Sequence, residues 1–505
     1  MNPDILLGPP GTGKTTSLLK LVEQDLLLGI KPHEIGLVTF TKKGANEAVT
    51  RACEKFGLDR TDFRYFRTIH SWCFQGLGVS NGDILEGKKM LEFGDWLGEE
   101  ISEVRYLDEG STFGFTSADR ALFMENLARV KCIPLRRQYD RCFDNLQWDL
   151  VDRISRGLAQ FKKDRNLIDY TDMLSQYIEK GRPPRLKHLI VDECQDLSQL
   201  QWRVIFFIAQ FADKLTIAGD DDQAIYKWAG ADVDYFVNMA GRSRVLGQSY
   251  RVPSKIQSIC YEIIRKVKMR RPKSWSPRLD DSGRPVEGKI NRVQKIWDAD
   301  LDGKDILILG RNSYCLQPML AHLRREGIVF NWRGKSSVPN SILEAIISWE
   351  KLRKGDSILT DEARRVYELL SSGRGVKRGF KTLPGLPNDM PVTLQDLKDR
   401  GGLQLDTIWH DALDRIPEQD KLYILRARKR GEQLKKTPRV SVSTIHGAKG
   451  GQGEHVILVP DMASRTYQEY LDNPEDEHRV WYVAASRVLN ELTIVAPSSQ
   501  RHYPI

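Results

Sequence analysis

The sequence holds 505 residues, 40% hydrophobic and 29% charged, with a net charge of +9. No apolar run nears the roughly 20 residues that span a bilayer, and the opening Met1-Asn2-Pro3-Asp4 lacks the basic and apolar regions of a secretory leader. Seven scattered cysteines with no C-x-x-C pair argue against a disulfide framework or a zinc site, so the chain reads as cytoplasmic and basic enough to accept a polyanion without requiring one.

Short apolar runs flanked by turn residues or charges recur along the chain. They are 5–7, 35–40, 189–191, 215–218, 306–309, 440–443, 455–459 and 492–495. Continuous runs of this length predict parallel strands buried on both faces. Helical patterns fall between many of them, which predicts an α/β fold with open sheets. The longest apolar run, Val204 to Ala209, reads as a buried helix face. The strands form two groups, before about Leu246 and after about Ile306, and so predict two lobes. Two stretches break the alternation, and each reads as a mostly helical insertion. The expected division is 1–80 with 166–246 as the first lobe and 81–165 as its insertion. The second lobe is 247–336 with 437–505, and 337–436 is its insertion.

Gly8-Pro9-Pro10-Gly11-Thr12-Gly13-Lys14-Thr15-Thr16 fits the G-x-x-x-x-G-K-[ST] pattern. It follows the first predicted strand and opens a helical run from Ser17 to Leu28, the context the pattern needs. The glycines let backbone N–H groups close around phosphate oxygens, and the helix N-terminus adds partial positive charge. Lys14 is then expected at the β- and γ-phosphates of ATP and Thr15 at Mg2+.

Asp192-Glu193 follows the run at 189–191, at the strand end where ligands bind in such sheets. Asp192 is expected to hold Mg2+ through water, and Glu193 to polarise the attacking water. Asp-Glu at a strand end is often a solvated turn. The phosphate loop upstream and a second polar strand end, Gly219-Asp220-Asp221-Asp222-Gln223, favour the catalytic reading. Gln223 is expected to orient water and sense the γ-phosphate.

From here the chain resembles the UvrD/Rep-like group of superfamily 1 helicases, motif after motif in the family's order. Val38-Thr39-Phe40-Thr41-Lys42-Lys43-Gly44-Ala45 is similar to motif Ia and Thr68-Ile69-His70-Ser71 to motif Ib. Ile168 to Leu174 is similar to another family segment. Asp192-Glu193-Cys194-Gln195-Asp196 resembles motif II and Gly219 to Tyr226 motif III. Gln248-Ser249-Tyr250-Arg251 resembles motif IV, Thr444 to Gly450 motif V, and Arg479 to Arg487 motif VI.

The resemblance implies two RecA-like P-loop lobes with parallel sheets, each carrying a mostly helical insertion. It implies that Arg251 and Arg487 reach the γ-phosphate from the second lobe, with Lys14, Asp192, Glu193 and Gln223 opposite. Tyr250 is implied to stack on adenine, and Gly450 to line the nucleotide site with Gly8 to Thr16. Thr39, Phe40, Thr68, His70, Trp228, Thr444 and His446 are implied to lie along single-stranded DNA. Phe40 and Trp228 would stack on bases, which any base tolerates, and the threonines and histidines would hold sugar and phosphate. Phe40 also reads as a core residue ending a strand. Trp228, flanked by Lys227 and Gly230, reads as part of an exposed loop. The basic runs Arg265 to Lys273 and Arg426 to Arg439 read as solvated faces before they read as phosphate contacts.

The match also has departures. Thr16 stands where the family often has arginine, Ala229 where it has arginine, and Gln452 where a glutamate binds ribose. The family's adenine-reading glutamine lies upstream of the loop, and this sequence opens almost at the first strand. The compact build suits a phage- or plasmid-encoded member. The implied function is an ATP- and Mg2+-dependent DNA helicase moving 3′→5′ on single strands and at single-strand/duplex junctions, as a monomer or weak oligomer. The alternative is a strand-stimulated ATPase that translocates or displaces proteins with little unwinding. A slow nucleotide switch ranks last, because the acidic pair and both arginines are present.

Overall fold

The computed structural model describes residues 2–40, 42–102, 116–142, 145–303 and 305–505. Thr41 of motif Ia lies outside the described residues, as do the side chains of Lys42 and Lys43 and part of the stretch 81–165.

Strands β1 (Asp4–Leu7), β2 (Ile35–Thr39), β3 (Phe66–Thr68), β4 (Leu186–Val191), β5 (Ala212–Gly219) and β6 (Arg242–Val245) form one sheet. Their order is β3-β2-β4-β5-β1-β6, parallel at every pairing. Helices cover both faces, so β2 and the carboxyl-terminal parts of β1, β4 and β5 are buried on both sides and read as short, mostly apolar runs. One face packs on Leu18, Leu19, Val22, Ala48 and Phe63. The other packs on Trp72, Met173, Trp202, Ile205 and Ile208, where the run 204–209 lies on the helix Gln199–Ala209. The carboxyl ends of β1, β2, β3, β4 and β5 lead into the phosphate loop and motifs Ia, Ib, II and III, respectively. Parallel strands bring these loops to one edge, the edge where α/β sheets bind ligands.

The second sheet holds β7 (Lys289–Val293), β8 (Ile306–Gly310), β9 (Phe330–Trp332) and β10 (Lys335–Ser336). A separate two-stranded pair, β11 (Ile358–Leu359) and β12 (Pro391–Val392), lies in the second irregular stretch. Strands β13 (Val440–Thr444), β14 (Gly453–Val459) and β15 (Val488–Val495) complete the large sheet. Its order is β10-β9-β13-β8-β14-β15-β7, and only β10 runs antiparallel. Motif V crosses from the carboxyl end of β13 to the amino end of β14 in the short segment 445–452.

The two irregular stretches differ in how they are anchored. Among the described residues of 81–165, four helices, Lys88–Leu97, Ser117–Val130, Leu135–Asp140 and Trp148–Asp164, bury a core of their own around Phe93, Leu122, Ile154 and Phe161. A charge cluster ties that body to the first lobe. Arg129 donates to both oxygens of Asp169 (3.0 and 2.7 Å), and Lys162 lies 2.7 Å from Asp169 and 2.5 Å from Asp172. Asp169 also caps the helix Tyr170–Lys180 by accepting from the Thr171 and Asp172 amides. In the stretch 337–436, by contrast, Trp349, Tyr367 and Trp409 share one continuous core with Ile306, Ile308 and Val440 of the second sheet.

Candidate functional site

The phosphate loop turns at Gly11 (φ +71°) and Gly13 (φ +73°), and Gly13 caps the helix Lys14–Leu27. Thr12 donates to the Pro9 carbonyl at 2.7 Å, and the Gly8 amide to the Gly219 carbonyl at 3.0 Å, which pins the loop against β5. Motif IV closes on it from the other side. The Tyr250 amide donates to the Gly11 carbonyl (2.8 Å), and Ser249 Oγ to the Pro10 carbonyl (2.8 Å). The Tyr250 ring lies over Gly13 and is 71% exposed, an open aromatic face beside the loop. Thr15 is half-buried, Thr16 exposed, and Gly450 (φ +85°) is exposed across the cleft.

Lys14 reaches into the acidic pair, with Nζ 2.8 Å from Glu193 Oε1 and 3.3 Å from Asp192 Oδ1. Burial works against its charge, but the two carboxylates hold its pKa above the usual lysine range. Burial raises Asp192 above the ordinary carboxylate value. It also opposes ionisation of Glu193, yet Lys14 and Lys449 together hold Glu193 down to about 2. Glu193 sits in the left-handed region (φ 54°), an uncommon conformation for a residue with a Cβ. Gln195 fixes it there, donating from Nε2 to Glu193 Oε2 at 2.5 Å while its Oε1 accepts from the Asp220 amide at 2.9 Å. The Thr15 hydroxyl and the Asp192 carboxylate are the two residues here that could hold Mg2+. Two hard oxygens suit an ion that takes its remaining ligands from water and phosphate.

The second lobe meets motifs II and III at several points. Lys449 of motif V lies 2.5 Å from Asp196 and donates to the Gln223 carbonyl at 2.9 Å. Burial pushes Asp196 up to about 6 against that pull. Arg487, 2% exposed, donates to Gln223 Oε1 at 2.6 Å, and Gln223 Nε2 donates to Asp220 Oδ2 at 2.7 Å. Burial and then repulsion from Arg251 push Arg487 below the usual guanidinium range. Arg251 donates from Nε to Gln452 Oε1 at 2.9 Å. Six expected residues, Lys14, Asp192, Glu193, Gln223, Arg251 and Arg487, thus gather around one cleft between the lobes.

The basic run Arg265 to Lys273 differs from expectation. Arg270 grips both oxygens of Asp222 (2.7 and 2.5 Å), the Arg271 amide donates to Asp221 at 2.8 Å, and Lys273 is buried among Asp220, Asp221 and Asp222. Arg479 of motif VI donates to the Asp221 carbonyl at 3.0 Å. The solvated-face reading fails for these residues because motif III supplies three buried carboxylates that need cations. In the other run, Arg439 donates to the Gly303 carbonyl at 2.9 Å and to Glu432 at 3.0 Å, while Arg428 and Lys429 stay exposed.

Away from the phosphate loop, aromatic rings of both lobes meet. Phe40 stacks on Tyr226 (centroids 5.7 Å, 26°), and Tyr226 and Trp228 both pack on His446 at 6.2 and 6.4 Å. Phe40 is half-buried against the first-lobe core, as its reading as a core residue ending a strand expected. Trp228 is half-buried rather than a free loop residue, and its indole N–H and His446 Nδ1 are buried with no hydrogen-bond partner. Burial holds His446 neutral and brings His70, edge-on to Tyr170, down to about 4. Thr39, Thr68 and Thr444 are buried. Thr68 caps the helix Ile69–Leu77, and Thr444 Oγ1 accepts from the Gly447 amide at 3.2 Å.

Sequence reasoning missed a groove of about 1140 Å³ running from Thr444 and Gln452 along β9 and β13. Its walls include Trp332, Lys335 and Asn331, whose Oδ1 is buried without a hydrogen-bond partner. Only the alternation around 330–336 could have signalled it, and that stretch is too short to stand out.

The chain is similar to known proteins along most of its length. Residues 2–243 match the UvrD/REP helicase N-terminal domain, and residues 410–499 the UvrD-like helicase C-terminal domain. The Bacillus subtilis protein YjcD, whose name includes the words ATP-dependent DNA helicase, is 27% identical over 306 residues, covering 56% of this chain and 39% of its own. ATP-dependent DNA helicase PcrA of Bacillus subtilis is 23% identical over 367 residues, covering 65% of this chain and 48% of its own. A "Probable DNA helicase II homolog" of Mycoplasma capricolum is 25% identical over 613 residues, covering 96% of this chain and 81% of its own. The chain therefore spans less than half the length of the first two and most of the third. Among the described residues no helix is long and apolar enough to cross a membrane. With both family domains matched, in chain order and on the two lobes that form the cleft, the chain belongs to the UvrD/Rep family of superfamily 1 helicases.

Proposed function

We propose that this protein is an ATP-dependent DNA helicase that moves 3′→5′ along single-stranded DNA. The observation that carries the reading is the reach of Arg487 across the cleft to Gln223, beside Lys14 and the acidic pair. A site divided between two lobes is complete only when they close, so each turnover is tied to a motion between them.

Lys14 leaves Glu193 for the β- and γ-phosphates when ATP enters, which frees the carboxylate to accept a proton from the attacking water. Gln223 orients that water, and Arg487 and Arg251 offset the charge that builds on the phosphoryl oxygens. For Arg251 this requires leaving Gln452. Thr15 and Asp192 would hold Mg2+, which would supply charge neutralisation to the phosphates when bound. Tyr250 offers its exposed face to adenine.

The strand runs past Phe40, Tyr226, Trp228 and His446 and on into the groove beside Thr444, Asn331 and Trp332. The unpaired indole N–H of Trp228 and the unpaired Oδ1 of Asn331 support that path, because they offer a donor and an acceptor along it. Stacking serves a motor because it tolerates every base. The domain division of the sequence analysis is part of this reading, with 337–436 moving as one piece with the second lobe. That shared core supports the second reading, translocation with little unwinding, since the stretch has few means to swing independently toward duplex.

Stopped-flow translocation on strands labelled at either end tests the claim. Arrival at the 5′ end alone supports it, and arrival at the 3′ end or none overturns it.

A further inference from the structure

Lys273 lies outside the motifs named above, yet its ammonium is the hub of the most buried charges in the cleft. Its side chain is 1% exposed, with Nζ 3.3 Å from Asp220 Oδ1, 2.5 Å from Asp221 Oδ1 and 3.2 Å from Asp222 Oδ2. Arg270 also serves Asp222, and the Arg271 amide also serves Asp221. Among the described residues no other cation bridges Asp220. The second oxygen of Asp220 accepts from Gln223 Nε2 at 2.7 Å, and Gln223 Oε1 accepts from Arg487 at 2.6 Å. One line of contacts thus runs from a second-lobe lysine through two first-lobe side chains and back to a second-lobe arginine.

We propose that Lys273 is a positioning residue for hydrolysis: by holding the Asp220 carboxylate it fixes the Gln223 amide and, through Gln223, Arg487. Gln223 is a two-ended group. Its NH2 faces Asp220 and its carbonyl faces Arg487, and only an ionised Asp220 accepts in a way that enforces that orientation. Burial already pushes Asp220 up to about 6 with Lys273 in place. The groups facing it are Lys273 and Tyr482 from the second lobe, Asp221, Asp222 and Gln223 from its own segment, Gln195 from motif II and Lys14 from the phosphate loop, while Arg270 pairs with the neighbouring Asp222. Removing the ammonium leaves Asp220 beside two carboxylates, so it takes up a proton nearer neutrality. Its oxygen can then donate, and the Gln223 amide is free to flip. Because Lys273 belongs to the second lobe, the amide is set only while the lobes hold this arrangement.

The inference rests on the hydrolysis reading above. Its test is ATP turnover on oligo-dT across about pH 5–9 for wild type, Lys273→Met and Lys273→Arg. Lys273→Met is expected to lower kcat about 10²-fold with KM for ATP little changed, and to move the acid limb of kcat up by about 1–3 pH units. Lys273→Arg should keep the limb where wild type has it. If Lys273→Met does not fold, Lys273→Met/Asp221→Asn buries one carboxylate fewer and should show a smaller move in the same direction. A folded variant whose limb stays in place, however slow, makes Lys273 a structural lysine and overturns the inference. Wild-type turnover separates the two readings. An inactive wild type overturns the hydrolysis reading, whereas an active wild type with an unmoved variant limb overturns this one alone.

Discussion

Replacing Gly11 by alanine should pry motif IV off the phosphate loop. A Cβ at position 11 would lie 2.3 Å from Arg251 Cβ and 2.9 Å from Ser249 Oγ. Carbon atoms pack comfortably near 3.5 Å, so the 249–251 segment must retreat by about 1.2 Å. The left-handed backbone (φ +71°) costs an alanine about 1–2 kcal/mol. Retreat also breaks the Tyr250 amide bond to the Gly11 carbonyl and the Ser249 bond to Pro10, each worth about 0.5–1.5 kcal/mol. The total loss of stability is about 2–5 kcal/mol. Gly78→Ala is the control. It has the same backbone sign (φ +67°) but nothing within 4 Å of the added methyl, so only the backbone cost of about 1–2 kcal/mol applies. Chemical denaturation and strand-stimulated ATP turnover should be measured on both. Gly11→Ala should also lose about 10²-fold in kcat, because Arg251 moves by about 1 Å, while Gly78→Ala keeps its rate. Wild-type turnover in Gly11→Ala would refute the idea that contact between the loop and motif IV sets the arginine.

Four further outcomes follow from the same geometry. Phe40→Ala and Trp228→Ala should each weaken single-strand binding by about 1–3 kcal/mol in fluorescence anisotropy, with little dependence on base sequence; a loss confined to one sequence would contradict a stacking role. Asp169→Ala should cost about 2–4 kcal/mol in denaturant unfolding, because Arg129 and Lys162 each lose one carboxylate, keeping Asp172, and a helix loses its cap. The carboxyl of Asp220, pushed up to about 6 by burial, binds a proton in the folded state across pH 3.8 to about 6. Its contribution to stability is therefore full below that window and falls as pH rises through it, whereas turnover should rise over the same range, since Gln223 needs the ionised form; parallel slopes would contradict the assignment. Forked-duplex displacement by the wild type should be slow relative to translocation if residues 337–436 move with the second lobe, and fast unwinding would overturn that coupling.

The two sheets were legible where burial is complete. The carboxyl-terminal parts of β1, β4 and β5 show as short, mostly apolar runs because helices cover both faces there, while Lys187, Asp213 and Lys214 are exposed. β6, Arg242–Val245, lies at an edge with three of its four residues exposed, and β7, Lys289–Val293, is also polar, so neither announces itself. The phosphate loop and the acidic strand end were readable because both depend on short, contiguous spacing. The partners of the Arg265 to Lys273 run were not, because charge neutralisation by Asp221 and Asp222 happens across the lobe boundary. A one-dimensional run of cations looks the same whether it faces water or a buried cluster. The burial of His446 was hidden for a similar reason. Its neighbours Ile225, Tyr226 and Trp228 come from the other lobe, and Ile225 is packed into the second lobe's core.

The central claim, that ATP turnover is coupled to a strand lying between two lobes, is tested most directly by steady-state ATPase measurements. The rate should be measured with and without single-stranded DNA, for wild type and for Glu193→Gln. The account predicts strong stimulation by the strand in the wild type and a loss of about 10²–10⁴-fold in the variant, with nucleotide binding retained. A wild-type rate that ignores the strand would contradict the coupling, and a Glu193→Gln rate equal to wild type would contradict the assignment of the base.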